Sequence, residues 1–177
     1  MKKIVLIFFS ILSISLWAQT PKIVVAAAKG NIKKVANYIK KGDINAKSRT
    51  KWSALAYAVN RNDLPMTQLL LENNADVNTR INTKESPLLM ATKYNFTDVA
   101  TLLIKYKADV MAIDIIQFTP LHWAAKNGNK KIITLLLEAG ADINAQNVSG
   151  RTALDLANSS IKKFLISKGA KYSKELL

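Results

Sequence analysis

Four aspartates at a fixed interval are the residues in this 177-residue chain that most suggest chemistry. Asp43, Asp76, Asp109 and Asp142 stand 33 residues apart, each followed by Ile or Val. Clustered carboxylates would bind Ca²⁺, whose oxygen ligands lie within about 2.6 Å of the ion. One aspartate per repeated unit, however, places the carboxylates about 10 Å apart, roughly the packing distance of helices. We therefore expect each aspartate to accept backbone N–H groups at a turn and not to share a cation.

The other residue types that support catalysis are scarce. His122 is the only histidine, and the chain contains no cysteine. These counts exclude thiolate catalysis and cysteine-based zinc or iron–sulfur sites, and a single histidine gives no indication of a metal site or of a Ser–His–Asp triad. No glycine-rich phosphate loop is present. The sequence therefore indicates a protein that is not an enzyme, with no catalytic residue, cofactor or metal.

Apolar triplets recur at the same interval of 33 residues and indicate the elements that carry the aspartates. They are Leu69-Leu70-Leu71, Leu102-Leu103-Ile104 and Leu135-Leu136-Leu137. Self-similarity at this period predicts a stack of small units, none of which buries its apolar face alone.

The best-formed unit runs from Thr119 to Gly140. Pro120 suits the first turn of a helix, where its missing N–H costs nothing, and Gly128 suits its C-terminal cap. Asn129 then begins a second helix, which Gly140 ends. The cap position holds Gly or Asn in four units, namely Gly30, Asn62, Asn95 and Gly128. These residue types tolerate positive φ best, so the pattern predicts a helix-turn-helix in each unit.

Two segments of this unit resemble the ankyrin repeat. Residues 119–125 read TPLHWAA, similar to the T-P-L-H-x-A-A helix start of that family, and residues 135–145 read LLLEAGADINA, similar to its L-L-L-x-x-G-A-D-x-N-A end. The resemblance implies an all-α repeat solenoid of five stacked ankyrin-type helix-turn-helix units with extended hairpin fingers. It also implies a structural role for His122, through hydrogen bonds to neighbouring backbone. The expected units are residues 19–48, 49–81, 82–114, 115–147 and 148–177, and four residues are missing between the helices of the last one.

Residues 1–18 have the form of a secretory signal peptide. Lys2 and Lys3 precede an apolar run from Ile4 to Trp17, and Ala18 is a small residue before a cut. The run is shorter than the roughly 20 residues of a membrane-spanning helix. The sequence therefore predicts an exported, periplasmic or secreted protein with no membrane span after signal removal. The alternatives are an uncleaved anchor and an N-terminus that is apolar by chance.

The chain is strongly basic, with 26 Lys+Arg against 12 Asp+Glu. Two lysines leave with the signal, which leaves 24 basic residues and a net charge of +12. Such a charge favours acidic partners or anionic surfaces. Export argues against nucleic acid, and lysine pairs such as Lys130-Lys131 fit a solvated helix face.

Ankyrin-like arrays bind proteins through the finger tips and the adjoining first helices, which implies a set of candidate site residues. The third finger is unusual, because it places four large apolar side chains where solvent exposure is expected. The alternative is that this finger folds over a neighbour and buries them. Trp123, Tyr57 and Met90 are expected to face the core. The predicted protein-binding residues are Lys47, Arg49, Trp52, Arg61, Arg80, Tyr94, Ile113, Ile115, Ile116 and Phe118.

The sequence thus favours a monomeric, non-catalytic binding module that grips an acidic protein, either a co-exported enzyme or toxin or a host protein. The alternative is electrostatic adhesion to anionic envelope polymers or lipid without a defined protein partner.

The signal-peptide hypothesis is tested by mass spectrometry of the natively expressed protein. Removal of the apolar run predicts an N-terminus at Gln19 or within a few residues of it. An intact Met1 in the soluble cytoplasmic fraction would contradict export and would make nucleic acid a candidate partner again.

Overall fold

A computed structural model describes residues 20–176. The predicted signal peptide and its cleavage site lie outside the described residues. Between residues 20 and 176 the chain forms an all-α repeat solenoid of five successive helix pairs, followed by a short 3₁₀ turn at Ser173–Glu175. The pairs are α1 Lys22–Ala28 with α2 Ile32–Ile39, α3 Ala54–Asn60 with α4 Leu64–Glu72, α5 Pro87–Lys93 with α6 Thr97–Lys105, α7 Pro120–Asn127 with α8 Lys130–Glu138, and α9 Ala153–Leu156 with α10 Ser159–Ser167.

The helices of the fourth unit begin and end close to the residues that the sequence pattern predicts. The Thr119 side chain caps α7 by accepting the His122 N–H, and Asn129 caps α8 by accepting the Ile132 N–H. The turn between the paired helices has positive φ at all four predicted positions, which are Gly30 (69°), Asn62 (53°), Asn95 (61°) and Gly128 (73°). The helix-turn-helix prediction is therefore confirmed, and its cause is the left-handed turn that Gly and Asn adopt most easily.

Successive first helices pack against one another from α1 to α9, and the second helices α4, α6 and α8 form a parallel row. The core is continuous along the stack and has no boundary between units. Leu70, Leu103 and Leu136, from three successive apolar triplets, are each fully buried. Each pair therefore buries apolar surface against its neighbours as well as within itself, as the 33-residue period predicts.

The prediction that each aspartate accepts a backbone N–H at a turn is also confirmed. Asp43, Asp76, Asp109 and Asp142 each accept, through Oδ1, the N–H of the residue two positions later, at 2.8–3.0 Å. A second ladder joins neighbouring units, because the asparagine that follows the aspartate turn accepts the N–H of a residue in the next unit. The links are Asn45 to Asp76 (2.7 Å), Asn78 to Asp109 (2.8 Å) and Asn144 to Lys171 (2.8 Å).

The last pair is shorter, as the sequence predicts, but the missing residues are not between its helices. Two residues separate α9 from α10, as two separate α7 from α8, and it is helix α9 itself that is short, with four residues against eight in α7. None of the helices between residues 20 and 176 is long and apolar enough to cross a membrane.

One unit lacks the asparagine whose side chain accepts an N–H of the next unit, and this difference yields a prediction. Met111 stands where the other units have Asn, and its Sδ accepts the Asp142 N–H at 3.2 Å. A thioether is a weak acceptor, and a net hydrogen bond contributes about 0.5–1.5 kcal/mol. Met111→Asn should therefore raise the free energy of unfolding by about 1 kcal/mol, measured by urea denaturation. The matched control Asn78→Met should lower it by a similar amount, and an unchanged stability in both variants would show that the ladder contributes nothing.

Candidate functional site

Four finger loops, residues 47–52, 80–85, 113–118 and 146–151, connect the pairs and project beside the first helices. A backbone hydrogen bond closes each loop, for example from Asp114 N to Phe118 O at 3.2 Å. Each loop also needs one residue of positive φ near its tip, and these residues are Lys51 (61°), Lys84 (63°), Gln117 (57°) and Gly150 (71°). Only Gly150 signals this conformation in the sequence, so the shared tip geometry was not predictable from the other three.

The third finger, residues 113–118, exposes a group of isoleucines. Ile113 and Ile116 are each 41% exposed and Ile115 is 67% exposed. Tyr94, the cap residue of the preceding first helix, is 48% exposed. Val148 of the fourth finger is 59% exposed, and its N–H donates to Ile116 O at 3.3 Å. The two fingers therefore present apolar side chains on adjoining, hydrogen-bonded loops.

The expectation that Phe118 faces solvent is wrong. Phe118 is only 9% exposed, and its ring lies 4.8 Å from the Trp123 ring and 5.3 Å from the His122 ring, measured between centroids. The third finger therefore anchors itself with Phe118 and presents the three isoleucines. This outcome lies between the two alternatives that the sequence left open.

Sequence reasoning missed Asp114, which holds the third finger in shape. Asp114 is 7% exposed. Its Oδ1 accepts the N–H groups of Ile116 (3.0 Å) and Phe118 (2.9 Å), and its Oδ2 accepts Trp123 Nε1–H at 3.2 Å. Asn147, 33 residues later, accepts two finger N–H groups in the same way. This register match is the signal that could have identified Asp114.

The expectation that Trp123 and Tyr57 belong to the core is only partly correct. Met90 is buried as predicted, with 1% exposure, whereas Trp123 and Tyr57 are half-buried and line the face formed by the first helices and fingers. We call this face the concave face. Two ammonium groups lie over the Trp123 ring, with Lys93 Nζ 5.5 Å and Lys126 Nζ 5.0 Å from its centroid.

A groove of about 230 Å³ separates the second and third fingers on the concave face. Its lining comprises Thr83, Glu85, Lys93, Asp114, Ile115, Ile116 and Trp123. Lys93 Nζ donates to Glu85 Oε1 at 2.6 Å. This hydrogen bond raises the pKa of Lys93 above its ordinary value, so the ammonium stays charged.

The remaining predicted site residues lie outside this groove. Lys47 and Arg49 are exposed on the first finger, and Trp52 is half-buried against Tyr57 with ring centroids 4.7 Å apart. Arg61 is exposed and lies over Gly30 of the neighbouring unit, where it donates to Ala28 O at 3.5 Å.

Arg80 links the second finger to the third. It lies 3.6 Å from Asp109 and donates to Ile113 O at 3.4 Å. Arg61 and Arg80 therefore join neighbouring units as well as facing solvent.

His122 has the backbone contacts that the sequence resemblance implies. It is fully buried. Its Nδ1 accepts the Thr119 N–H at 3.1 Å, and its Nε2 lies 3.0 Å from Arg151 O, which can only accept. The ring therefore carries its proton on Nε2 and joins the fourth unit to the fourth finger. No group of His, Asp or Glu side chains within residues 20–176 is placed to hold a metal ion.

Helix pairs stacked into a solenoid, with projecting finger loops, define a repeat protein. Its candidate functional site is an exposed surface, the concave face. The family described as ankyrin repeats (3 copies) matches residues 23–114 and 112–175, and the chain belongs to this family. Ankyrin repeats generally mediate protein–protein interaction and are typically non-catalytic modules. No curated protein matches the chain.

His122 predicts a pH dependence of stability. Burial lowers its pKa below the ordinary value of 6.5, so the unfolded chain takes up a proton at a higher pH than the folded chain does. The stability that neutral His122 contributes should be complete above about pH 6.5 and be lost as the pH falls below it. Urea denaturation at a series of pH values should show this loss.

His122→Ala provides the control for that measurement. At neutral pH this variant should be less stable by about 1–3 kcal/mol, because buried backbone groups lose their partner, and the pH-dependent component near pH 6 should disappear. An identical pH profile in the two proteins would contradict the structural role of His122, as would loss of function without any loss of stability.

Proposed function

We propose that the chain is an exported, non-catalytic module that binds an acidic protein through the concave face. The observation that carries this proposal is the exposed apolar third finger. Large apolar side chains that stay exposed on an ordered loop mark an interaction surface. The family's general role in protein–protein interaction supports the same reading.

The finger is ordered before any partner binds. Buried Asp114 fixes its backbone through two N–H groups, Phe118 anchors it to Trp123, and Val148 N donates to its tip. A preformed surface avoids the entropic cost of ordering a loop on association. Burial of Ile115 and Ile116 by a partner can therefore increase the affinity with little loss of conformational entropy.

The surroundings of the finger suit an acidic partner. Lys126 is exposed beside Trp123 and forms no ion pair with any residue between 20 and 176. Arg80 lies beside Ile113 with its charge paired to Asp109, and Lys47 and Arg49 add positive charge on the first finger. Peripheral charges of this kind increase the association rate more than the affinity.

The proposed location rests on the sequence of residues 1–18. An exported binding module would encounter a co-exported enzyme or toxin, or a host protein after secretion. A complex isolated from periplasmic or culture-supernatant extract would identify the partner. The alternative function is electrostatic adhesion to anionic envelope polymers or lipid, which the net charge of +12 beyond residue 18 favours.

The apolar finger predicts a specific loss of binding in Ile116→Asp. Full burial of an isoleucine contributes about 1.5–3 kcal/mol, and about 1.4 kcal/mol corresponds to tenfold in affinity. The Kd for the isolated partner, measured by titration calorimetry, should rise at least about tenfold. Thermal stability should change little, because Ile116 is 41% exposed.

Ile166→Asp is the matched control, since Ile166 is 50% exposed on α10, outside the fingers. It should bind like the parent chain. Replacing Lys47 and Arg49 by Gln should slow association and flatten its salt dependence, with little change in dissociation. Unfolding of Ile116→Asp together with complete loss of binding in the Lys47/Arg49 variant would contradict the proposal and favour electrostatic adhesion.

A further inference from the structure

Positive charge is concentrated at one end of the stack. Residues 19–48 carry seven lysines and one aspartate, a net charge of +6. The three central units, residues 49–147, carry eleven Lys+Arg and nine acidic residues, a net charge of only +2, and residues 148–177 carry six and two. The first unit therefore holds half of the +12 beyond residue 18.

The charge of the first unit is exposed and is not compensated by ion pairs. Its seven lysines are all exposed, and none of the ion pairs within the described part of the chain involves this unit. Its only acid, Asp43, accepts the Asn45 N–H. The lysines are Lys22, Lys29, Lys33, Lys34, Lys40, Lys41 and Lys47.

Four of these lysines border two adjoining grooves on the outer side of α1 and α2. The lysines of one groove, of about 310 Å³, are Lys22, Lys29 and Lys34. Those of the other, of about 350 Å³, are Lys22 and Lys41, and the acidic residue Asp43 also lines this groove. Tyr38 is half-buried and lines both grooves. Both volumes lie at the lower end of the range for small-ligand sites, about 300–1,000 Å³.

Apolar side chains line part of both grooves. Val25 and Ala26 line the first groove, and Ile23 and Ala46 line the second. Lysines around apolar side chains and a tyrosine are suited to the boundary between lipid headgroups and acyl chains, where amphipathic side chains place charge in water and carbon against lipid.

The choice of lysine also indicates the ligand. Residues 19–48 contain no arginine, although arginine is the residue that recognises carboxylates and nucleic-acid phosphates through paired hydrogen bonds. Lysine binds phosphate as a point charge without a fixed geometry. A fluid array of phosphodiester headgroups needs charge and not a fixed orientation.

We propose that this end face, formed by Lys22, Lys29, Lys34, Lys41 and Tyr38, binds the anionic phospholipid surface of a membrane. The chain reaches the face at Thr20, directly after the apolar stretch from Ile4 to Trp17. A chain that keeps this stretch in a bilayer brings the lysines to its surface, and a cleaved chain keeps all four lysines. The concave face remains available, because none of these residues belongs to the fingers.

The test is the partition of the purified chain between buffer and vesicles. Mixed phosphatidylglycerol–phosphatidylcholine vesicles should bind it strongly, and pure phosphatidylcholine vesicles weakly. Each lysine near an anionic membrane contributes about fivefold to partitioning. Replacing Lys22, Lys29, Lys34 and Lys41 by Gln should therefore lower the partition coefficient by roughly two to three orders of magnitude.

The matched control removes the same charge elsewhere, by replacing the exposed Lys105, Lys107, Lys163 and Lys171 by Gln. Its partition coefficient should fall only a few fold. The thermal unfolding of both fourfold variants should match that of the parent chain. If the fourfold variant of the end face does not fold, the double variant of Lys34 and Lys41 should still lose about 25-fold.

Equal losses in the two fourfold variants would overturn the proposal and show adhesion by net charge alone. Equal binding of the parent chain to both kinds of vesicle would do the same. Displacement by soluble glycerol phosphate at the concentration of the lipid phosphate would assign the grooves to a small phosphate ligand, and tighter binding to single-stranded DNA would assign them to nucleic acid. Neither result bears on Ile116 or on partner binding at the concave face.

Discussion

Contact between neighbouring units is the constraint on which the rest of this structure depends. The helices of each pair are only four to nine residues long, and most of their buried apolar side chains belong to one core that runs through the whole stack. Polar links follow the same direction, from asparagine side chains to the next aspartate turn and from His122 to the fourth finger. A unit therefore has a defined shape only in the stack.

This constraint also fixes the surface. Hydrogen bonds of three residues hold the third finger in one conformation. These residues are Asp114 within the loop, Trp123 on the following helix and Val148 in the next finger. The isoleucines stay exposed because the residues around them already satisfy the backbone and fill the space below. The exposed apolar surface of the third finger therefore lies in the central units, whose net charge is only +2, and most of the positive charge lies in the first and last units.

Local rules explain what the sequence could predict. Positive φ at Gly30, Asn62, Asn95 and Gly128 follows from residue type alone, and so does the turn at each aspartate. The burial of Phe118 depends on the Trp123 ring in the next helix. The roles of Asp114 and Lys93 depend on the approach of two fingers. The local sequence pattern could not predict these tertiary contacts. Lys51, Lys84 and Gln117 adopt positive φ because the closed finger imposes it, against their own preference.

Residue-resolved amide hydrogen exchange of the free chain tests most directly whether the stack holds the third finger in place before any partner binds. The N–H groups of Ile116 and Phe118 both donate to buried Asp114. They should exchange far more slowly than amides of an unstructured peptide, with protection close to that of the helices α5 and α7 on either side. Exchange of both amides at the unstructured rate, while α5 and α7 stay protected, would contradict a preformed finger.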